Sequence, residues 1–318
     1  MDYILRKITL PTTDCVTTAV AGLWRDCFGQ EEVDCTRAQF AGEETDFNID
    51  TLYVLECNGS LCACCHITRR RGTGLAMLGG VASAPAFRGQ GFGRAVCEFA
   101  LSDFDNYDGE AIWLATENPI AADLYESIGF HYLAGTHVMA RLRTGTRIMA
   151  LQRKLYSGGE CVVQKASPSM RVPMIPLISS RSQTVVLDAN VGLCGNRQMA
   201  LTSCTGLYPR YMKVRERGGE CLFMQDAATC AVAGLATAVT LEDGTVQADA
   251  FWHENYTSQA STLLKALADC FPRRRLCLPV IDDAKAKFLQ GLGATETSPR
   301  AVSFGRFRMD MRIFELVI

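Results

Sequence analysis

The chain has 318 residues, 48% hydrophobic and 21% charged, with a net charge of −2, an ordinary globular composition with length for about two domains. The small net charge conceals an asymmetry: residues 1–145 hold 11 Lys and Arg against 19 Asp and Glu, net −8, and residues 146–318 hold 21 against 15, net +6. Neither half has a basic run suited to nucleic acid, since Arg69-Arg70-Arg71 and Arg273-Arg274-Arg275 are short and isolated. No basic, apolar, small-residue leader opens the chain, and no apolar run approaches the ~18 residues of a membrane helix. The 15 cysteines are odd in number and scattered through apolar contexts, the pattern of reduced, buried thiols in a cytoplasmic protein.

Residues 2–9 read as a first strand. From Asp14 to Phe28, Val16, Val20, Leu23, Trp24 and Cys27 recur at helical spacing. An acidic helix or loop covers Glu31 to Asp50. Strands are expected at 51–57 and 60–69, joined by Asn58-Gly59, a strong hairpin signal. A third strand at 74–83 runs into a glycine-rich turn. Helix 91–104 follows, with Ala95, Val96, Phe99 and Ala100 on one face. A short strand at 111–116 leads to a helix capped by Asn118, with Pro119 in its first turn and Gly129 just past its end. Strands at 130–134 and 136–143 close this part. The literal C-x-x-C-H of Cys62 to His66 is not read as haem attachment, because strand alternation would set Cys62 and Cys65 on opposite faces. No second ligand pair supports zinc.

Residues 146–183 are expected to be a linker, broken by Pro168, Pro173, Pro176 and a serine-rich cluster. The second half, 184–318, then repeats the order of the first. Strands at 229–239 and 245–253 flank Asp243-Gly244, helix 257–270 follows, and strand 275–281 precedes helix 282–290. Gly129 and Gly293 align with an offset of 164 and Val81 and Trp252 with one of 171, which points to a duplication.

The stretch Val81-Ala82-Ser83-Ala84-Pro85-Ala86-Phe87-Arg88-Gly89-Gln90-Gly91-Phe92-Gly93-Arg94 carries the chemistry. Glycines let backbone approach a ligand and adopt positive φ, and the helix that follows offers unpaired N–H groups to a pyrophosphate. There is no Gly-Lys-Ser/Thr of a P-loop, and G-x-G-x-G is not the dinucleotide spacing. Here the sequence resembles the GCN5-related N-acetyltransferase (GNAT) superfamily. Its Arg/Gln-x-x-Gly-x-Gly/Ala signature is met by Arg88-Gly89-Gln90-Gly91-Phe92-Gly93, and its Asn-x-x-Ala-x-x-Leu-Tyr-x-x-x-Gly-Phe segment by Asn118 to Phe130.

The resemblance implies an α+β fold of two GNAT-like domains, each a mostly antiparallel twisted sheet flanked by helices. Residues 1–145 would be the cofactor-binding copy, and 184–318 a degenerate copy without the glycine signature. It implies acetyl-CoA as co-substrate. Val81, Ala82 and Ser83 would pair with the pantetheine amides, Arg88, Gly89, Gln90, Gly91, Phe92, Gly93 and Arg94 would hold the pyrophosphate, and Asn118 would bond the pantetheine arm. Tyr125 aligns with the family's acid near the sulfur. Glu117 is the first candidate base, ahead of His66, His131 and His137. Glu43, Glu44, Asp46 and Asp50 are candidates to line the side of a cationic acceptor.

The expected activity is acetyl transfer to a primary amine of a small molecule by direct attack in a ternary complex. The alternative is a non-catalytic acyl-CoA-binding sensor or scaffold. The second half would complete the acceptor cleft or support an oligomer such as a homodimer, and its counterpart of Tyr125 falls at Leu289.

Overall fold

A computed structural model describes residues 2–133, 135–180, 185–194, 203–304 and 307–317. Its contacts divide these into two compact units, one of residues 2–133, 137–146 and 203–207, the other of the remainder. Among the described residues no helix is long and apolar enough to cross a membrane.

In the first unit, β1 (Ile4–Thr9) precedes α1 (Val16–Phe28) and α2 (Gln30–Ala41). The hairpin of β2 (Asn48–Cys57) and β3 (Ser60–Arg70) follows, then β4 (Leu75–Ser83), α3 (Phe92–Asn106), β5 (Ala111–Ala115), α4 (Pro119–Ser127), β6 (His131–Tyr132) and β7 (Val138–Leu142). The sheet order is β1-β2-β3-β4-β5-β7-β6, antiparallel throughout except for the parallel pair β4–β5. Asn58 and Gly59, both at positive φ (50° and 77°), make the tight turn expected of that dipeptide.

The sheet buries both faces. On one lie Val16, Val20, Leu23 and Trp24 of α1 with Leu52, Val54, Cys64 and Ala82. On the other, Val96, Cys97, Ala100, Leu101 and Phe104 of α3, with Ala122 and Tyr125 of α4, pack on Tyr53, Leu55, Cys65 and Ile67. The four-residue steps from Phe92 to Val96 to Ala100 to Phe104 explain why this segment is helical and which face it hides. Each large apolar side chain so buried contributes about 1.5–3 kcal/mol.

The second unit holds α5 (Ile148–Leu155), β8 (Cys161–Lys165), α6 (Met174–Ser179), β9 (Leu187–Asp188), β10 (Leu193–Cys194), α7 (Leu207–Glu216, from Tyr208 on), β11 (Glu220–Asp226), β12 (Val232–Thr240), β13 (Val246–Trp252), α8 (Ala260–Asp269), β14 (Leu276–Val280), α9 (Asp283–Gly291), β15 (Thr295–Phe304) and β16 (Phe307–Leu316). The segment expected as a linker therefore carries two helices, α5 and α6, and the edge strand β8 of this sheet. Its prolines do not prevent that, because Pro168 opens a 3₁₀ turn and Pro173 is the N-cap of α6, positions where a missing N–H costs little.

The second sheet runs β8-β11-β12-β13-β14-β16-β15, again antiparallel except for one pair, β13–β14. Strand for strand this is the topology of the first. The helix ends repeat as well. Phe130 N donates to Tyr125 O at 3.0 Å, and Ala294 N to Leu289 O at 3.0 Å, after glycines at φ 95° and 87°. The fold is thus mixed α and β, with two mostly antiparallel seven-stranded sheets flanked by helices.

Candidate active site

β4 and β5 are paired only from Leu75↔Ala111 to Met77↔Trp113. Beyond that point β4 continues to Ser83, no described strand pairs with it on its β5 side, and the two strands part. The cause is a bulge in β4: across β3 the register passes from His66↔Gly79 to Cys64↔Ala82, leaving one extra residue on β4. Gly80 supplies the required φ of 58°. Trp24 locks the bulge, its indole Nε1 donating to Gly80 O at 2.7 Å.

The parting opens a cavity of about 360 Å³. Gly79, Gly80 and Val81 line one side, Ala115 to Asn118 the other, and Tyr125 and Glu32 also face it. Ser203, Cys204 and Thr205, far along the chain but part of this unit, complete the wall. A Cβ on Gly79 would lie 2.2 Å from Thr205 Oγ1, so that contact needs glycine.

The glycine turn follows β4 through a 3₁₀ turn at Pro85–Phe87. Gly89 and Gly91 have φ of 73° and 81°, and a Cβ on either would meet nothing within 4 Å. Their glycines are demanded by backbone conformation, and the turn stays open to a ligand. Gly93 is different: a Cβ there would come 3.3 Å from Ser83 Oγ, so it lets α3 approach the end of β4. Gln90 Nε2 closes the turn on Ala86 O at 3.1 Å, and Arg88 Nε reaches Ser83 O at 3.2 Å. Arg94 is exposed and pairs with Glu98 at 3.3 Å. Phe92 is buried and anchors the first turn of α3. Ala82 points to the α1 face of the sheet and Val81 lines the cleft.

Asn118 caps α4, its Oδ1 accepting from Ile120 N at 3.0 Å and Ala121 N at 3.5 Å. Two turns on, Tyr125 lies against Phe130 with ring centroids 5.9 Å apart. Its hydroxyl makes no hydrogen bond to a described residue. Burial pushes this phenol far above its ordinary range, so it is a neutral O–H donor. Glu117 sits at the exposed rim, with His137 Nε2 3.7 Å away.

The other candidates are dispersed. His131 is exposed on β6. His66 is buried in the core, 3.0 Å from Asp50 Oδ1 and beside Trp24. Asp50 also accepts from Gln39 Nε2 at 2.5 Å and Thr68 Oγ1 at 2.7 Å, and Glu44 accepts from Asn48 at 3.2 Å. Asp50, on β2, thus ties α2 to the sheet through Gln39 and Thr68, and none of the acidic set 43–50 lines the cleft. Instead Glu32, on the first turn of α2, does so. Its ordinary helical context gave no signal, and only the packing of α2 beside the parted strands reveals it.

The expectation that Cys62 and Cys65 face opposite ways is corrected. Opposite Leu55–Glu56 the register of β3 slips from Ala63 to Leu61, making Cys62 the extra residue of a bulge. Both thiols therefore join the same core cluster, and burial raises both above the ordinary thiol range.

In the second unit the corresponding opening is filled. β13 and β14 pair only at Val246↔Leu276 and Gln247↔Cys277. Lys285 of α9, 164 residues after Ala121 of the open cleft, reaches back to Asp249 of β13 with Nζ–Oδ1 at 2.5 Å, both buried. Asp249 Oδ2 also accepts from Ala189 N at 3.2 Å, and Phe288 packs on Trp252 with centroids 4.7 Å apart. Leu289 stands, fully buried, where the first unit has Tyr125.

Residues 48–132 match the family model described as an acetyltransferase (GNAT) domain. That match runs from β2 to β6 of the first unit. Among solved structures, the chain is similar to yncA, a putative acetyltransferase from Salmonella typhimurium determined with acetyl-CoA. The identity is 16% over 49% of this chain and 92% of that one, at TM-score 0.34. A phosphinothricin acetyltransferase from Sinorhizobium meliloti in complex with AcCoA matches at 12% identity, 49% and 87% coverage and TM-score 0.37. A GCN5-related N-acetyltransferase from Kribbella flavida matches over 98% of this chain and 71% of its own, at 13% identity and TM-score 0.42. No curated protein matches the chain.

Proposed function

We propose that the first unit is an N-acetyltransferase that takes acetyl-CoA as co-substrate and acetylates the primary amine of a small molecule. One observation carries this reading: the open backbone edge of β4 runs from the glycine turn to a cleft into which faces a neutral Tyr125, whose hydroxyl has no hydrogen bond to a described residue. A pyrophosphate suits the N–H groups at the start of α3, presented by Gly89 and Gly91, with Arg88 and Arg94 nearby. The unpaired stretch at Val81 to Ser83 suits an added strand of pantetheine amides, and Asn118 orders the other wall.

Acetyl-CoA supplies a thioester carbonyl with a thiolate leaving group. The chain supplies orientation and proton transfer. Tyr125, kept neutral by burial, donates its proton to the departing sulfur. Glu117, at the rim with His137, passes the released proton to solvent. The second unit, with its opening filled by Lys285 and Asp249, binds no acyl-CoA. The protein works in the cytoplasm.

Thiol release from acetyl-CoA across a panel of primary amines tests the reading. Turnover on at least one amine is expected. Acetyl-CoA binding without turnover on any would instead favour a sensor or scaffold.

A further inference from the structure

Among the described residues, the cleft lining contains two carboxylates, Glu32 and Glu117, and neither Lys nor Arg. The two acids differ in setting. Glu117 is exposed at the rim and has His137 beside it. Glu32 is half-buried on α2, and no described residue gives its carboxylate a hydrogen bond or an ion pair. The titratable groups around it are Glu31 on its own helix, His66 on β3 behind it, and Cys27, Glu117, Tyr125 and Cys204 around the cleft. A carboxylate drawn partly out of water with no partner is costly unless a ligand supplies the opposite charge.

We propose that Glu32 is the seat of the acceptor: it binds a cationic aliphatic amine as its ammonium and takes the first proton from it. This rests on the acetyltransferase reading of the same cleft. Burial raises the Glu32 carboxyl above its ordinary range, which suits a group that must accept a proton and release it. The ammonium gives one proton to a Glu32 oxygen. The freed nitrogen lone pair forms the C–N bond at the thioester carbonyl carbon, the C–S bond breaks, and its electron pair leaves on sulfur. Tyr125 protonates the sulfur. The nitrogen's second proton, carried by water, restores Tyr125, and the proton on Glu32 passes outward to solvent. The products are one amide, one thiol and one proton.

The test uses the full chain and two probes, 1,4-diaminobutane, cationic at neutral pH, and O-methylhydroxylamine, neutral there. Glu32→Gln is compared with Glu31→Gln, a change on the same helix turn outside the cleft, and acetyl-CoA binding reports that each variant is folded. Titration calorimetry with CoA present should show 1,4-diaminobutane binding to the parent chain and to Glu31→Gln, and at least tenfold weaker binding to Glu32→Gln. In turnover, Glu32→Gln should lose at least a hundredfold in kcat/KM for 1,4-diaminobutane and less than tenfold for O-methylhydroxylamine. Absence of amine binding to the parent chain, or equal binding to parent and Glu32→Gln, overturns the proposal. So does an equal loss of turnover on both probes. If acetyl-CoA binds and no amine turns over, the enzyme reading fails, and the calorimetric comparison still decides the role of Glu32.

Discussion

The Trp24 indole donates to the Gly80 carbonyl at 2.7 Å, and a Cβ on Gly80 would fall 2.2 Å from Trp24 Cζ2. The helix before the sheet therefore fixes the bulge that parts the strands. Gly80→Ala combines a left-handed φ with a steric overlap against a rigid ring. Strain of about 1–2 kcal/mol for the dihedral alone gives a total loss of at least about 2 kcal/mol, read by chemical denaturation. Acetyl-CoA affinity should fall with it, since the parting depends on the same residue.

Tyr125→Phe keeps the ring contact with Phe130 and removes the O–H. Acetyl-CoA binding should stay within about threefold while kcat falls about 10²-fold or more, the usual scale for a positioned acid. Single-turnover kinetics beside direct binding would show the split. Equal turnover would remove Tyr125 as the proton donor.

Gly91 sits at φ 81° with open space where a side chain would go. Gly91→Ala should show only the dihedral strain. Gly91→Glu adds a negative charge where the pyrophosphate is expected and should weaken acetyl-CoA binding at least a hundredfold. Calorimetry on the two variants separates charge from strain.

Lys285→Met leaves Asp249 buried without its cation. Removing one partner of a buried pair typically costs about 3–5 kcal/mol. Adding Asp249→Asn, which keeps an acceptor for Ala189 N, should recover most of that. Thermal unfolding of both variants would show the rescue.

Burial, reinforced by the nearby Asp249 carboxylate, pushes Asp188 up to about 8. An acid whose folded value is raised binds its proton more tightly when folded. Its contribution is fully present below the ordinary Asp value of about 4 and is lost as pH rises from there toward 8. Stability of the second unit should decline over that window by at most about 1.4 kcal/mol per pH unit. Asp188→Asn should flatten the slope, measured by denaturation at pH 5 and pH 8.

Most of the first unit was legible in the sequence because its signals are local. Asn58-Gly59 set a hairpin, Asn118-Pro119 a helix start, and the apolar spacing of α3 its buried face. Gly129 and Gly293 mark matching helix ends, so the duplication could be read from two residues 164 apart. Bulges were not legible, since they depend on the partner strand: Cys62 reverses the facing of its neighbours for a reason absent from its own segment. Glu32 and the acidic run from Glu43 to Asp50 show the same limit. All are carboxylates, and only the docking of α2 decides that Glu32 faces the cleft while Asp50 ties the helix to the sheet through Gln39.

Thr205 rests on Gly79, and Cys204 beside it is buried in the same wall. The first domain is therefore not a continuous piece of chain. A polypeptide ending near residue 146 would have the glycine turn, Tyr125 and Glu32, yet the floor beneath β4 would be bare, with solvent where two buried side chains belong. During synthesis the cleft cannot be finished when its own sheet is finished. It waits for residues made some sixty positions later, so the first unit matures only after the chain has passed well into the second copy.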